Sequence, residues 1–216
     1  MNSVNNKIKV LLVDDHAVVR AGYRLLLRNS SEIDIIAEAD NGENACRLYA
    51  DLTPDVVIMD LSLPGMGGLE AIRRILARDP KARILVFSMH EDMVFVDQAV
   101  NAGAKGYITK SSAPDVLIDA VQKIASGKSY LDDETAQTLA YQKLRGDDTP
   151  FSGLSTREFE IFCYLAEGMN SSEIADRLSL SYKTIANYST QIKSKLNAGS
   201  VAELTRMAIR HGVIEV

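Results

Sequence analysis

Short β-rich runs punctuate the first half of the chain: IKVLLV (8–13), IDIIAEA (33–39), DVVIM (55–59), RILVFS (83–88) and KGYIT (105–109). Between them the apolar period changes. In GLEAIRRILARD, Leu69, Ile72, Ile75 and Leu76 fall on one helical face, and in APDVLIDAVQKIA, Leu117, Val121 and Ile124 do the same. Gly22, Gly42, Pro80 and Gly103 stand at or near the breaks. Five strands alternating with five helices predict a parallel sheet covered on both faces. In such open sheets, ligands bind beyond the carboxyl ends of the strands.

From Ser126 the alternation fades. SGKS and RGDDTPFSG read as connecting segments, and DDETAQTLAYQKL between them predicts a helix at 132–144, capped by Asp132 or Asp133. The remainder is helical in pattern. Ser155 with Glu158 forms a capping box, Asn170 with Glu173 repeats it, and SLS (179–181) makes a short turn with Ser181 as the next cap. A last helix is expected around Val201–His211. The limits that follow are an α/β domain over 7–126, a connecting segment over 127–152, and a small all-α helix-turn-helix domain over 153–216.

Bulk properties narrow the class. At about 100–200 residues per domain, 216 residues give one or two domains, and 46% hydrophobic with 25% charged residues is ordinary for a globular chain. Cys46 and Cys163 lie far apart in no ligand spacing, and are expected as reduced, buried thiols of a cytosolic protein. MNSVNNKIKV has no apolar h-region, and no stretch approaches the roughly 20 apolar residues of a membrane span. No signal peptide, no membrane contact and a cytoplasmic location are therefore expected. The net charge of −5 argues weakly against nucleic acid, yet from Phe151 onward seven basic residues balance seven acidic ones. Residues 1–150 carry the whole excess, so the two parts call for separate readings.

The strand assignment gathers chemistry at one edge of the sheet. Asp14 and Asp15 follow the first strand, Asp60 the third, Ser88 ends the fourth and Lys110 follows the fifth. Clustered carboxylates repel unless a cation neutralises them. Mg²⁺ is a natural partner, since it takes one or two carboxylates and shares phosphate oxygens. A carboxylate beside it can act as a nucleophile toward phosphorus, with Lys110 and Ser88 placed around the phosphoryl oxygens. Taken singly, each residue has a plainer reading. Asp15 before HAVVRAG could be only a helix cap, and His90 a solvated loop histidine. Five such groups at four strand ends favour the phosphoryl site. His16 and His211 have no ligand partners by spacing.

VDDH, VIMDLSLPGMGG, FSM and GYITK resemble the receiver domain of bacterial response regulators. The resemblance implies a flavodoxin-like fold, Asp60 as phosphoacceptor, and Mg²⁺ held by Asp14, Asp15, Asp60 and the Ser62 carbonyl. It also implies that Ser88 and Lys110 contact the phosphoryl group and that Tyr107 is the aromatic switch. Ser111 replaces the proline that often follows the lysine. Ser62 and His90 stand where such receivers tune the phosphoryl lifetime.

In SLSYKTIANYSTQIKSKL, Ile185, Tyr188, Ile192 and Leu196 share a face, opposite Lys183, Ala186, Asn187, Thr190 and Ser194 with Lys193 at the flank. A helix after a short turn with small polar residues outward suits a major groove, where Asn can read adenine. Lys183, Lys193, Lys195 and Arg177 could contact phosphates. The plainer alternative is a small helical bundle with a solvated face. LSTRE, LAEG, IADRLSLS and the spacing from Lys183 to Leu196 resemble the LuxR-type helix-turn-helix. With the receiver, this is similar to the NarL/FixJ type of response regulator, and ELTRMAIRHGVI to its branch containing the GacA and UvrY regulators. The resemblance implies a two-component transcription regulator. A sensor histidine kinase would phosphorylate it, and it would act as a homodimer on double-stranded DNA through Lys183, Thr184, Ala186, Asn187, Thr190 and Lys193. It implies no enzyme beyond self-phosphorylation and autodephosphorylation chemistry. Ala186, Asn187 and Thr190 stand where relatives often carry cations, which lowers the expected salt dependence. Two rivals remain: an aspartate phosphohydrolase, against which Ser62 replaces the second carboxylate such enzymes use, and a switch that binds protein alone.

Overall fold

The computed structural model describes residues 7–28, 30–145 and 149–214. Its α-carbon contacts divide the chain into two compact units, Met1–His90 with Ala99–Asp132, and Glu91–Gln98 with Asp133–Val216.

In the first unit, β1 (Ile8–Val13), β2 (Ile33–Ala39), β3 (Val56–Met59), β4 (Ile84–Ser88) and β5 (Gly106–Thr109) form one sheet in the order β2-β1-β3-β4-β5. Every pairing is parallel. The helices between and after them are α1 (Ala17–Arg28), α2 (Gly42–Leu52), α3 (Gly68–Arg78), α4 (Met93–Ala102), of which residues 93–98 count with the second unit, and α5 (Pro114–Ala125). β3 and β4 are buried at every position, as strands covered on both faces require, while the edge strand β2 is only partly buried. Val10, Leu12, Ile58, Leu85 and Phe87 pack with Leu117, Val121 and Ile124 of α5. The expected faces of α3 and α5 are buried, apart from Leu76, which is half-buried. Gly22 departs from expectation. It lies inside α1 rather than at a break, in a helix long enough to carry its entropic cost. Past α5, Tyr130 bridges to Gly106 and exchanges backbone bonds with Lys105 and Tyr107, so the segment there adds to the edge of β5.

The loop after β3 is clamped by its apolar residues. Leu61, Leu63 and Met66 are buried between exposed Pro64 and the glycines. Gly65 has φ +70, in the left-handed region. Gly68 opens α3 where the backbone of Asp60 and Leu61 leaves no room for a Cβ. Its N–H donates to the Leu61 carbonyl at 3.1 Å. The turn is thereby closed tightly under Asp60.

The second unit contains α6 (Asp133–Arg145), α7 (Thr156–Ala166), α8 (Ser171–Arg177), α9 (Tyr182–Lys195) and α10 (Val201–Arg210). α6 starts at Asp133, which leaves Asp132 just ahead of the helix. Both capping boxes form, and the Ser181 side chain accepts the Thr184 N–H. Between α8 and α9 the chain turns through Ser179, at φ +52. α7 packs against α8, α9 and α10. The core holds Phe151, Phe159, Phe162, Ile174, Leu178, Ile185, Ile192, Leu204 and Ala208. On α9 the inward set is Ile185, Ser189 and Ile192, with Leu196 buried just beyond the helix, while Tyr188 is half-buried.

Glu158 ties the unit together. Its carboxylate receives the Ser155 N–H at 2.7 Å and the Lys195 ammonium at 2.6 Å, so the start of α7 holds the end of α9. Burial pushes this carboxyl up, but the bonds from Lys195 and from the Ser155 N–H and hydroxyl outweigh it and leave it below the usual range. Cys46 and Cys163 are free, as expected, but half-buried rather than fully buried. No helix among the described residues is long and apolar enough to cross a membrane.

Gly68→Ala should lower the stability of the first unit by about 2 kcal/mol, as overpacking against fixed backbone does, read from urea unfolding followed in that unit. Because the Glu158 carboxyl lies below its unfolded value of about 4.3, its contribution is complete above that pH and lost as pH falls through the folded value. Glu158→Gln should therefore flatten the acid loss of amide-exchange protection in α7 and α9 between about pH 5 and pH 3.

Candidate functional site

At the carboxyl edge of the sheet, β1 and β3 lie side by side at the point where strand order reverses, the position at which open α/β sheets bind ligands. Asp14 and Asp60 follow these two strands directly. Their backbone N–H groups close the ladder on the Ala39 and Val13 carbonyls, at 3.1 Å and 3.0 Å. Both residues are buried, at 2% and 3% exposure. Two carboxylates in that position require a cation, and Lys110 supplies it. Its Nζ lies 2.5 Å from Asp14 Oδ2 and 2.6 Å from Asp60 Oδ2. Burial lowers the Lys110 pKa, and the two carboxylates more than reverse that, so the ammonium is held above its ordinary value. Lys110 is placed by a 2.7 Å bond from its N–H to the Ser88 carbonyl across β4 and β5.

The remaining predicted groups are disposed differently. Ser88 is fully buried, and its Oγ accepts the His90 N–H at 3.3 Å. Tyr107 is 3% exposed, and its hydroxyl donates to the His90 carbonyl at 2.8 Å. The Ser62 N–H donates to Asp60 Oδ1 at 3.3 Å. Asp15 is half-buried and turns from this group, its Oδ1 lying 2.7 Å from His16 Nδ1. The cap reading of Asp15 is corrected. Asp14, not Asp15, accepts the His16 N–H ahead of α1, at 2.8 Å, because its Oδ1 folds back along the chain. His16 is also better placed than spacing suggested. One ligand atom each from Asp14, Asp15 and His16 lie within 4.8 Å of one another.

The contacts of two residues at the site escaped the sequence. His90, which the resemblance sets beside the pocket with Ser62, is not a solvated loop histidine. It is half-buried, with Nε2 3.1 Å from Ser62 Oγ. Arg20 of α1 donates from Nη1 to the Asp14 carbonyl at 2.5 Å, and its Nε lies 3.4 Å from Glu38. The available signal was its position in the second turn of the helix that follows the acidic pair.

In the second unit, Lys183, Asn187 and Thr190 of α9 are exposed, and Thr184, Ala186 and Lys193 are half-buried. Thr184 is drawn into the cap, its hydroxyl 2.8 Å from that of Ser181, and Thr190 donates to the Ala186 carbonyl at 3.0 Å. Lys195 and Arg177, both exposed, also have partners within the unit: Lys195 is bound to Glu158, and Arg177 lies over the Tyr164 ring, 5.0 Å from its centre. The sequence could not place these partners beside them.

A doubly covered parallel sheet with a lysine-bridged acidic pair at its switch point, followed by a capped helix-turn-helix, defines a receiver joined to an output unit. Residues 10–122 match the response regulator receiver domain, and residues 152–208 match the bacterial regulatory proteins of the luxR family. Response regulator UvrY of Escherichia coli strain K12 is 39% identical over 208 residues, which cover 95% of each chain. Response regulator GacA of Pseudomonas aeruginosa is 37% identical, covering 96% of this chain and 98% of that protein. Among solved structures, RcsB of Salmonella enterica serovar Typhimurium is 25% identical with a TM-score of 0.68, covering 94% of this chain and 98% of that one. It is bound to promoter rprA in the presence of the phosphomimetic BeF3⁻. The chain therefore belongs to the two-component response regulators, transcriptional regulators that join a receiver to a LuxR-family DNA-binding domain.

Lys110→Met would leave two buried carboxylates without their cation, so it should cost the first unit about 3 kcal/mol at neutral pH. Adding Asp60→Asn should restore part of that loss, which a double-mutant cycle in urea measures.

Proposed function

We propose that the protein is a phosphorylation-switched regulator in which Asp60 accepts a phosphoryl group from a sensor histidine kinase. The observation that carries the reading is the Lys110 ammonium shared between Asp14 and Asp60 at the switch point of the sheet. In the transfer, an Asp60 carboxylate oxygen attacks phosphorus. The acyl phosphate bond forms as the bond from phosphorus to the donor imidazole breaks, and the electron pair leaves with the imidazole, which takes a proton. Lys110 already carries the charge that new phosphoryl oxygens need, and the buried Ser88 hydroxyl can donate to one of them. No other protein group has to do chemistry, so the protein acts as a phosphoacceptor that also sheds its phosphate to water.

Three carboxylates against one ammonium leave two negative charges in excess, which fits a dication with a preference for hard oxygen ligands. Asp14, Asp15, Asp60 and the Ser62 carbonyl would hold Mg²⁺. When bound, it neutralises the charge of the phosphoryl oxygens. The receiver is taken as 7–126, the connecting segment as 127–152 and the output domain as 153–216. Ser88 and Tyr107 pass the change from the pocket to the surface of the receiver. Lys183, Thr184, Ala186, Asn187, Thr190 and Lys193 face DNA, with the exposed Asn187 amide suited to adenine and Lys183 to phosphate. The protein acts as a homodimer in the cytoplasm. The complex of RcsB with promoter DNA and a phosphomimetic supports both halves of this reading.

Incubating the protein with acetyl phosphate and Mg²⁺ should add one phosphoryl group by intact mass and raise its capture of specific fragments of its own genome. Asp60→Asn should do neither. A variant that still gains phosphate would overturn the assignment of Asp60, and enrichment indifferent to acetyl phosphate would uncouple the receiver from DNA.

A further inference from the structure

His90 has polar links to β4, to β5 and to the loop after β3. Its N–H donates to Ser88 Oγ at the end of β4, at 3.3 Å. Its carbonyl accepts the Tyr107 hydroxyl of β5, at 2.8 Å. Its ring Nε2 meets Ser62 Oγ, in the loop after β3, at 3.1 Å. Met89, just before it, is 71% exposed, so packing of that side chain does not hold this segment in place. The ring gives it a lateral tie.

We propose that His90 is a positioning residue: its side-chain bridge to Ser62 fixes the carbonyl on which the Tyr107 hydroxyl rests, so that the seat of Tyr107 is set from the loop beside Asp60. The physical reason is the stake at Tyr107. A tyrosine 3% exposed must find an acceptor for its hydroxyl, and its acceptor is a backbone carbonyl in an irregular segment. Hydrogen bonds weaken within a few tenths of an ångström of their best length, so the segment has to be held to that tolerance. Ser62 is itself anchored by its N–H on Asp60 Oδ1. A continuous path thus runs from the Asp60 carboxylate through the Ser62 backbone and hydroxyl, the His90 ring and the His90 carbonyl to the Tyr107 hydroxyl. Only the significance of Tyr107 as a switch rests on the proposed function; the bridge and its effect on the ring do not.

The test uses the full-length protein without phosphodonor, labelled with 3-fluorotyrosine and followed by ¹⁹F NMR at neutral pH. The chain has eight tyrosines, and Tyr107→Phe identifies the line of interest. Ser62→Ala and His90→Ala should each shift or broaden the Tyr107 line toward that of an exposed tyrosine such as Tyr182. Ser62→Thr, which keeps the hydroxyl, should hold it at the wild-type position, and the line of Tyr49, bound to Asp79, should not move in any variant. A Tyr107 line unmoved in both alanine variants would overturn the proposal. So would lines that all move together, since that reports a general loss of structure. Failure of Asp60 to take phosphate would appear only in the Asp60→Asn experiment and would leave this outcome standing.

Discussion

The Lys110 ammonium is the interaction on which the carboxyl edge of the sheet depends. It joins residues 96 and 50 positions away in sequence and lets two carboxylates remain buried. Its reach also constrains its neighbours. β5 is separated from β3 by β4, about 10 Å at ordinary strand spacing, so the lysine stem has to pass the end of β4 to meet Asp60. A bulky residue at that end would stand in the way, and Ser88 is small. The serine leaves that space free, and on the proposed function its hydroxyl would have a second use there.

The helical unit solves a similar problem with a similar device. Glu158 is a capping residue for α7 and the anchor for Lys195 at the far end of α9. Arg157, beside it, reaches the Leu178 carbonyl at 3.3 Å, where α8 gives way to the turn. Two adjacent charged side chains at the start of one helix thus hold both ends of the turn-and-helix segment that follows. Each of these ties is partly buried, which is where an ion pair has structural weight that an exposed one lacks.

The strands of the receiver were legible almost to the residue because buried parallel strands are written as near-continuous apolar runs, and the caps were legible because Ser155, Asn170 and Ser181 act within three residues of themselves. The grouping of Asp14, Asp60 and Lys110 followed from strand order alone. What escaped was decided by side-chain direction. Nothing in the sequence says that Asp15 turns to His16 while Asp14 turns inward, that Arg20 reaches back to a carbonyl, or that the ring of His90 finds Ser62. Gly22 misled for the same reason, since a glycine inside a helix and one at its end look alike in a string. Lys195 and Arg177 are surface charges whose partners, Glu158 and Tyr164, lie on another helix and were not legible.

The way α9 is held has a bearing on how such a reader can change. Its inward positions, its cap and its final lysine are all committed to the fold, whereas Lys183, Asn187 and Thr190 stand outside that framework. The outward positions form a surface that can be rewritten with little charge to the fold. On the proposed reading of that face, target preference could change there one side chain at a time, while the scaffold that presents it stays as it is.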